Sequence, residues 1–169
     1  FSTAGSELAY RFHALSASSR IADVGVMSPA PGVVDLCLLT RDGLPDAALV
    51  AVTAAYVSGK KIRPLTDTVN VYPATRLEQH LRATLQLYAW ADADAVRAAV
   101  DQAVAAWWES GRGTLGVDVV RSQLVALLSV YGVYRVDLAS PVEDREVSLG
   151  EWVDWQDVDI SLATERHDG

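Results

Sequence analysis

Three glycines, Gly111, Gly113 and Gly116, spell G-x-G-x-x-G. In a dinucleotide site that spacing lets backbone amides and a helix N-terminus meet a pyrophosphate. The chemistry needs a strand before the loop and a helix opening on it. Here the run follows Trp107-Trp108-Glu109-Ser110 at the end of an amphipathic segment, so it reads as a loop leaving a helix. The histidines His13, His80 and His167 are not spaced as paired metal ligands. No H-E-x-x-H motif and no second cysteine complete a zinc set. Cys37 lies inside the apolar run 33–39 and reads as a small buried hydrophobe, because reactivity requires access and a lowered pKa. No G-x-S-x-G elbow presents a serine nucleophile. Glu143, Asp144 and Glu146 cluster near a turn, but carboxylates do acid–base work only where their surroundings separate their pKa values. A charged loop is the simpler account. No catalytic, cofactor-binding or metal-binding set is assigned.

The remaining candidates are contact residues. Lys60-Lys61-Ile62-Arg63 is the one basic run, suited to an acidic protein partner, and it lacks the aromatic platform that single-stranded nucleic acid requires. Trp107 shares the apolar face of its segment, whereas Trp108 is turned about 100° away from it. Trp152 and Trp155 sit among Glu151, Asp154 and Asp157, and tryptophan inside a polar rim is a frequent interface signature. The expected interface residues are therefore Trp152, Trp155, Trp108, Lys60, Lys61 and Arg63.

These residues belong to a chain of 169 residues, half of them apolar, enough for one large domain or two small ones. It opens on Phe1 rather than Met and is expected to be part of a longer polypeptide. The net charge of −8 is uneven: residues 1–74 hold six basic and six acidic side chains, residues 75–169 eight and sixteen. DNA phosphates would repel such a chain, whereas a basic protein surface would be attracted. One cysteine excludes an internal disulfide. No apolar run approaches the roughly 18 residues of a membrane helix, and no leader pattern is visible.

Hydrophobic spacing supplies the frame. Leu8, Phe12 and Leu15 predict a helix over 6–15 with Ser6 as N-cap. Residues 21–27 and 33–40 read as strands around the turn Ser28-Pro29-Ala30-Pro31-Gly32. Leu49, Val52 and Tyr56 predict a helix over 46–57, capped by Asp46 and released at Gly59. Residues 68–72 close the first unit. After Pro73-Ala74, apolar residues at odd positions from Leu77 to Leu87 predict a half-buried strand. A helix over 92–110 buries Val96, Ala99, Val100, Ala103, Val104 and Trp107, with Arg97 and Asp101 paired outside. A helix over 121–131 follows, then strands 133–138 and 158–162 joined by an acidic connection. The expected class is α+β: two small mixed α/β domains in tandem, 1–74 as α-β-β-α-β and 75–169 as β-α-α-β-β, each a short sheet covered by helices.

At Arg63-Pro64-Leu65-Thr66-Asp67-Thr68-Val69 the sequence resembles the baseplate J-like family of phage tail proteins, where a similar segment closes one small domain. Upstream, Tyr10-Arg11-Phe12-His13-Ala14-Leu15-Ser16, Val26-Met27-Ser28-Pro29-Ala30-Pro31-Gly32 and the turn Thr40-Arg41-Asp42-Gly43 resemble its helix, strand and turns. Downstream the resemblance continues through Ala83-Thr84-Leu85-Gln86-Leu87-Tyr88 and through Leu115-Gly116, Asp118-Val119 and Arg121-Ser122. It ends with Gly132-Val133-Tyr134-Arg135-Val136-Asp137-Leu138-Ala139-Ser140-Pro141. The order holds across most of the chain. Val117 stands where a basic residue is expected, Trp90 where a small or Pro-Gly turn is, and the family's earlier N-terminal portion is missing.

The resemblance implies a structural wedge component of a contractile-tail baseplate. It would pair with other baseplate subunits and further copies of itself, in a ring around the tail tube. It implies no catalytic residue, cofactor, nucleic acid or membrane, and assembly in the bacterial cytoplasm of a phage, prophage or injection-system particle. Two readings from other classes are a small α/β enzyme with its site near Gly111–Gly116, and a carbohydrate-binding module stacking sugars on Trp152 and Trp155.

Overall fold

A computed structural model describes residues 3–59 and 67–169 of the chain. Four helices and six strands form an α+β fold with two small sheets. It divides into two compact units that are discontinuous in sequence. The first runs to Leu77 and adds Arg112–Val117 and Val147–Asp154; the second comprises Glu78–Gly111, Asp118–Glu146 and Trp155–Gly169.

In the first unit the elements are α1 (Thr3–Ser16), β1 (Ile21–Ala30), β2 (Val33–Thr40), α2 (Ala47–Gly59) and β3 (Thr68–Pro73). β1 and β2 pair antiparallel, and their hairpin turns at Pro31-Gly32 between paired Ala30 and Val33. Gly32 takes φ 73°, which glycine supplies at no steric cost after a proline corner. β3 returns through α2 and pairs parallel with β2, leaving β2 central in the order β1-β2-β3. Val34, Leu36 and Leu38 alternate onto one face and pack with Tyr10, Ala14, Leu49 and Val57 of the two helices. Cys37 and Leu39 face the other way, and both are buried.

Segments returning from later in the chain cover that second face. Leu39 forms a small core with Ala74, Leu115 and the half-buried Trp152. Asp23 anchors one segment by accepting the Leu115 N–H at 2.8 Å while pairing with Arg11 at 2.8 Å. The other passes so close to β1 that a Cβ on Gly25 would overlap the Leu149 carbonyl, and one on Gly150 would meet Met27 and Cys37.

Both helices of this unit bury only part of the stripe their apolar spacing predicted: Leu15 and Leu49 pack on the core as expected. α1 packs Tyr10 and Ala14 and leaves Leu8 70% and Phe12 65% exposed. Alanine allows the helix to approach the sheet closely, and the Tyr10 hydroxyl reaches Asp67 at 3.1 Å. α2 buries Leu49, Thr53 and Val57 and turns Val52 outward. Its many alanines make several faces equally apolar, and Thr53 is tolerated inside because its hydroxyl donates to the Leu49 carbonyl at 2.8 Å. Asp46 caps α2 as expected, accepting the Leu49 N–H at 2.8 Å.

The second sheet has the order β5-β4-β6, built from β4 (Thr75–Tyr88), β5 (Val133–Ser140) and β6 (Glu151–His167), with α3 (Ala93–Gly111) and α4 (Arg121–Leu128). Leu81, Ala83, Leu85 and Leu87 are buried along central β4, as the odd-position pattern requires, together with Val96, Val100, Leu124 and Leu128 of the helices. β5 pairs antiparallel with β4. The side-chain pairs Arg76–Asp154, His80–Asp157 and Thr84–Ser161 advance together along both strands, so β6 runs parallel to β4. Asp92 caps α3 instead of lying within it, accepting the Asp94 and Ala95 amides. Arg97 turns to β6 and donates to the Ile160 carbonyl at 2.7 Å, where an outward pair with Asp101 was expected. α4 stops three residues short of the expected end.

The largest departure is β6. The last part of the expected acidic connection, 151–157, joins the short strand over 158–162 in one strand of 17 residues, while 141–150 remains a loop. Its acidic side chains are compatible with a strand because basic groups on β4 stand beside them: Arg76 lies 2.6 Å from Asp154, and His80 2.7 Å from Asp157.

Two stability tests follow. Gly25→Ala should cost about 1–3 kcal/mol by overpacking two backbones, whereas Gly59→Ala, which meets nothing within 4 Å, should cost far less; urea unfolding of both variants measures the difference. The Asp46 carboxyl is held below the ordinary carboxylate range, first by the Leu49 N–H and then by Arg20. Its folded value lies below its unfolded value, so its contribution is full above about pH 4 and fades as pH falls through the folded value. Asp46→Asn keeps a capping oxygen, and its thermal midpoint should decline less steeply than wild type toward about pH 3.

Candidate functional site

Several chemistry-bearing residues serve the fold. α3 ends at Gly111, and Gly113 and Gly116 follow with φ 66° and 68° in a loop, while the next helix opens only at Arg121. A Cβ on Gly113 would crowd Ala22 and Arg41, and one on Gly116 would press on Leu149. Gly113 and Gly116 thus answer to close packing within the first unit, whereas a Cβ on Gly111 would meet nothing within 4 Å. The Cys37 thiol is buried beside Gly150. Burial first, and the Asp35 charge second, push its pKa up, so it stays a thiol at neutral pH rather than a nucleophilic thiolate.

The acidic cluster is also partly structural. Asp144 accepts the Arg121 N–H at 2.7 Å and so caps α4 from a distant loop. The Arg121 guanidinium donates back to the carbonyls of Leu138, at 3.1 Å, and Pro141. Val119 and Arg145 exchange backbone hydrogen bonds beside it. His80 pairs with Asp157, His13 lies edge-on to Phe12, and His167 stacks on Tyr134. Among the described residues no group of three or more His, Cys, Asp or Glu is placed to hold a metal ion.

The expected contact residues are dispersed. Trp152 belongs to the first unit, where its ring lies over Gly43, in a turn closed by backbone hydrogen bonds between Thr40 and Gly43. Trp155 belongs to the second unit and is half-buried, 5.0 Å from Trp107 in a T-shaped contact. Trp108, also edge-on to Trp107, is 38% exposed. Lys60, Lys61 and Arg63 lie outside the described residues.

Two surfaces escaped the sequence reading. In the first unit, Glu7, Leu8 and Arg11 of α1 line a groove of about 370 Å³ with 23–26 of β1, Leu115 and Leu149. The exposed Leu8–Phe12 stripe borders it. An i, i+4 apolar pair signals a helix face but cannot say whether the face is covered. In the second unit, Tyr88, Trp90, Tyr131, Tyr134 and His167 form a contiguous set of ring contacts. They come from three separate stretches of sequence, so no local pattern could have grouped them.

Residues 2–73 match the family model described as the Baseplate J-like central domain, and residues 80–161 match the Baseplate J-like protein C-terminal domain. The chain is 38% identical over 145 residues to "Baseplate protein J" of Escherichia phage P2, a match covering 85% of this chain and 48% of that protein. It therefore spans about half the length of the curated relative. Its fold is similar to that of a chain in the cryo-EM structure of the anti-feeding prophage (AFP) baseplate, 6-fold symmetrised, with a TM-score of 0.61. That likeness covers 89% of this chain and 37% of the other at 15% identity, and it concerns the fold alone. With consecutive matches to both domain models across nearly its whole length, the chain belongs to the baseplate J-like family.

Proposed function

We propose that the chain is a structural subunit of a contractile-tail baseplate, acting in wedge assembly through protein–protein contacts and without catalysis. The observation that carries this reading is the 38% identity to phage P2 baseplate protein J over 85% of the chain. The geometry supports it: an exposed apolar stripe beside a groove in one unit, and exposed aromatic rings in the other, suit burial against protein partners. Its partners are other baseplate subunits and further copies of itself. It would reside in the virion tail baseplate after assembly in the bacterial cytoplasm. Residues 1–74 and 75–169 would serve as successive modules. Trp152, Trp155, Trp108, Lys60, Lys61 and Arg63 remain the proposed contacts, with Trp108 the most open of the tryptophans among them.

Co-expression of the tagged chain with the neighbouring tail genes, followed by affinity capture and mass spectrometry, tests the role. Recovery of baseplate subunits in fixed proportion is expected; a preparation that carries a small molecule and no tail protein would overturn it. Replacements separate contact from packing. Trp108→Ala should leave the thermal midpoint nearly unchanged and weaken capture roughly 5- to 30-fold, the loss of a modest interface anchor. Trp152→Ala should instead lower stability by about 2–4 kcal/mol, because its ring covers Leu39, Ala74 and Leu115.

A further inference from the structure

An aromatic surface lies where β4 ends in the second unit. Tyr88 and Trp90 stack with centroids 5.3 Å apart at 14°, and Trp90 leans on Tyr131 at 5.0 Å. Tyr134 and His167 stack in parallel at 3.6 Å, and Tyr88 meets Tyr134 edge-on at 5.5 Å. Tyr88, Tyr134 and His167 brace one another, whereas Trp90 is 57% and Tyr131 87% exposed. Trp90, stacked on Tyr88, presents a preformed π-face to water, and the open Tyr131 ring lies beside it.

Charge around the rings selects the occupant. The first unit holds eight basic and eight acidic residues and the second six and fourteen, so the whole net charge of −8 lies in the second. Asp92, Asp94, Asp137, Glu165 and Asp168 neighbour the aromatic residues in sequence, against only Arg135 and Arg166. Both arginines are engaged: Arg135 lies 3.3 Å from Asp137, and Arg166 donates to the carbonyls of Tyr88 and Ala91. A nucleic acid would be repelled by this unit's net negative charge, and a cation would be attracted.

We propose that this cluster docks an arginine-bearing segment of a protein partner, with a guanidinium seated on the faces of Trp90 and Tyr131. Arginine fits better than lysine because its planar, weakly hydrated cation stacks on aromatic rings as well as answering the unit's negative charge. The identification of the partner as a protein rests on the structural-subunit reading above.

The test is a fluorescence-anisotropy titration of the full chain with labelled hexa-arginine and hexa-lysine peptides at about physiological salt, where exposed charges are strongly screened. Hexa-arginine should bind several-fold tighter than hexa-lysine. Replacing Trp90 and Tyr131 together by alanine should weaken hexa-arginine about 5- to 10-fold and leave hexa-lysine nearly unchanged. Tyr131→Ala alone, at the more exposed ring, should give a smaller loss in the same direction and serves if the double variant fails to fold. Equal binding of the two peptides, or an arginine preference that survives both replacements, would overturn the proposal, as would displacement of hexa-arginine by chitotetraose. No tail protein enters the titration, so its failure would remove this surface while the co-purification still judges the baseplate role.

Discussion

Burial of β2 on both faces is the constraint from which the first unit follows. A strand carrying Val34, Leu36 and Leu38 on one side and Cys37 and Leu39 on the other cannot leave either side to water. Local chain covers only one side, through α1 and α2. The other is closed by Ala74 and by the segments 112–117 and 147–154, which return from far downstream. Glycine at positions 25 and 150 allows backbone to lie against strand there, and Asp23 holds the incoming Leu115 amide. The unit therefore cannot finish its core from consecutive residues.

The second unit solves a different problem, that of placing acidic residues in a sheet. β4 buries its apolar residues on one side, while its other side presents His80 and Thr84 to Asp157 and Ser161 of β6. Exposed pairs of this kind contribute little individually. Their effect is to set which residues stand opposite one another, since like charges across strands destabilise and opposite ones do not. The unit keeps its excess negative charge, which bears on what it can approach rather than on how it folds.

Membership of the baseplate J-like family fits the way reactive residue types are used. Cys37 is a buried packing group, Gly113 and Gly116 allow close approach of neighbouring chain, and Asp144 caps α4. Apolar stripe, groove and aromatic rings stay at the surface, where the proposed protein–protein contacts would use them.

The sequence alone was enough for the element types, the α+β class and the family resemblance, because each rests on local periodicity or on ordered motifs. The Asp46 cap and the alternation along β4 are decided by residues within a few positions of one another and stand where expected, whereas the expected turn over 28–32 tightens to Pro31-Gly32 because β1 runs on to Ala30. Helix faces were less legible: alanine in α2 is apolar on every side, and only the sheet beneath decides that Thr53 goes in and Val52 out. The full length of β6 was hidden because acidic residues argue against a strand until Arg76 and His80 stand beside them. The positions of Trp152 and Trp155 follow from that strand, and the grouping of Tyr88, Trp90, Tyr131, Tyr134 and His167 from the meeting of distant segments. Burial and neighbourhood across such distances are properties of tertiary packing, where several stretches of chain compete for one surface, and no single stretch encodes the outcome.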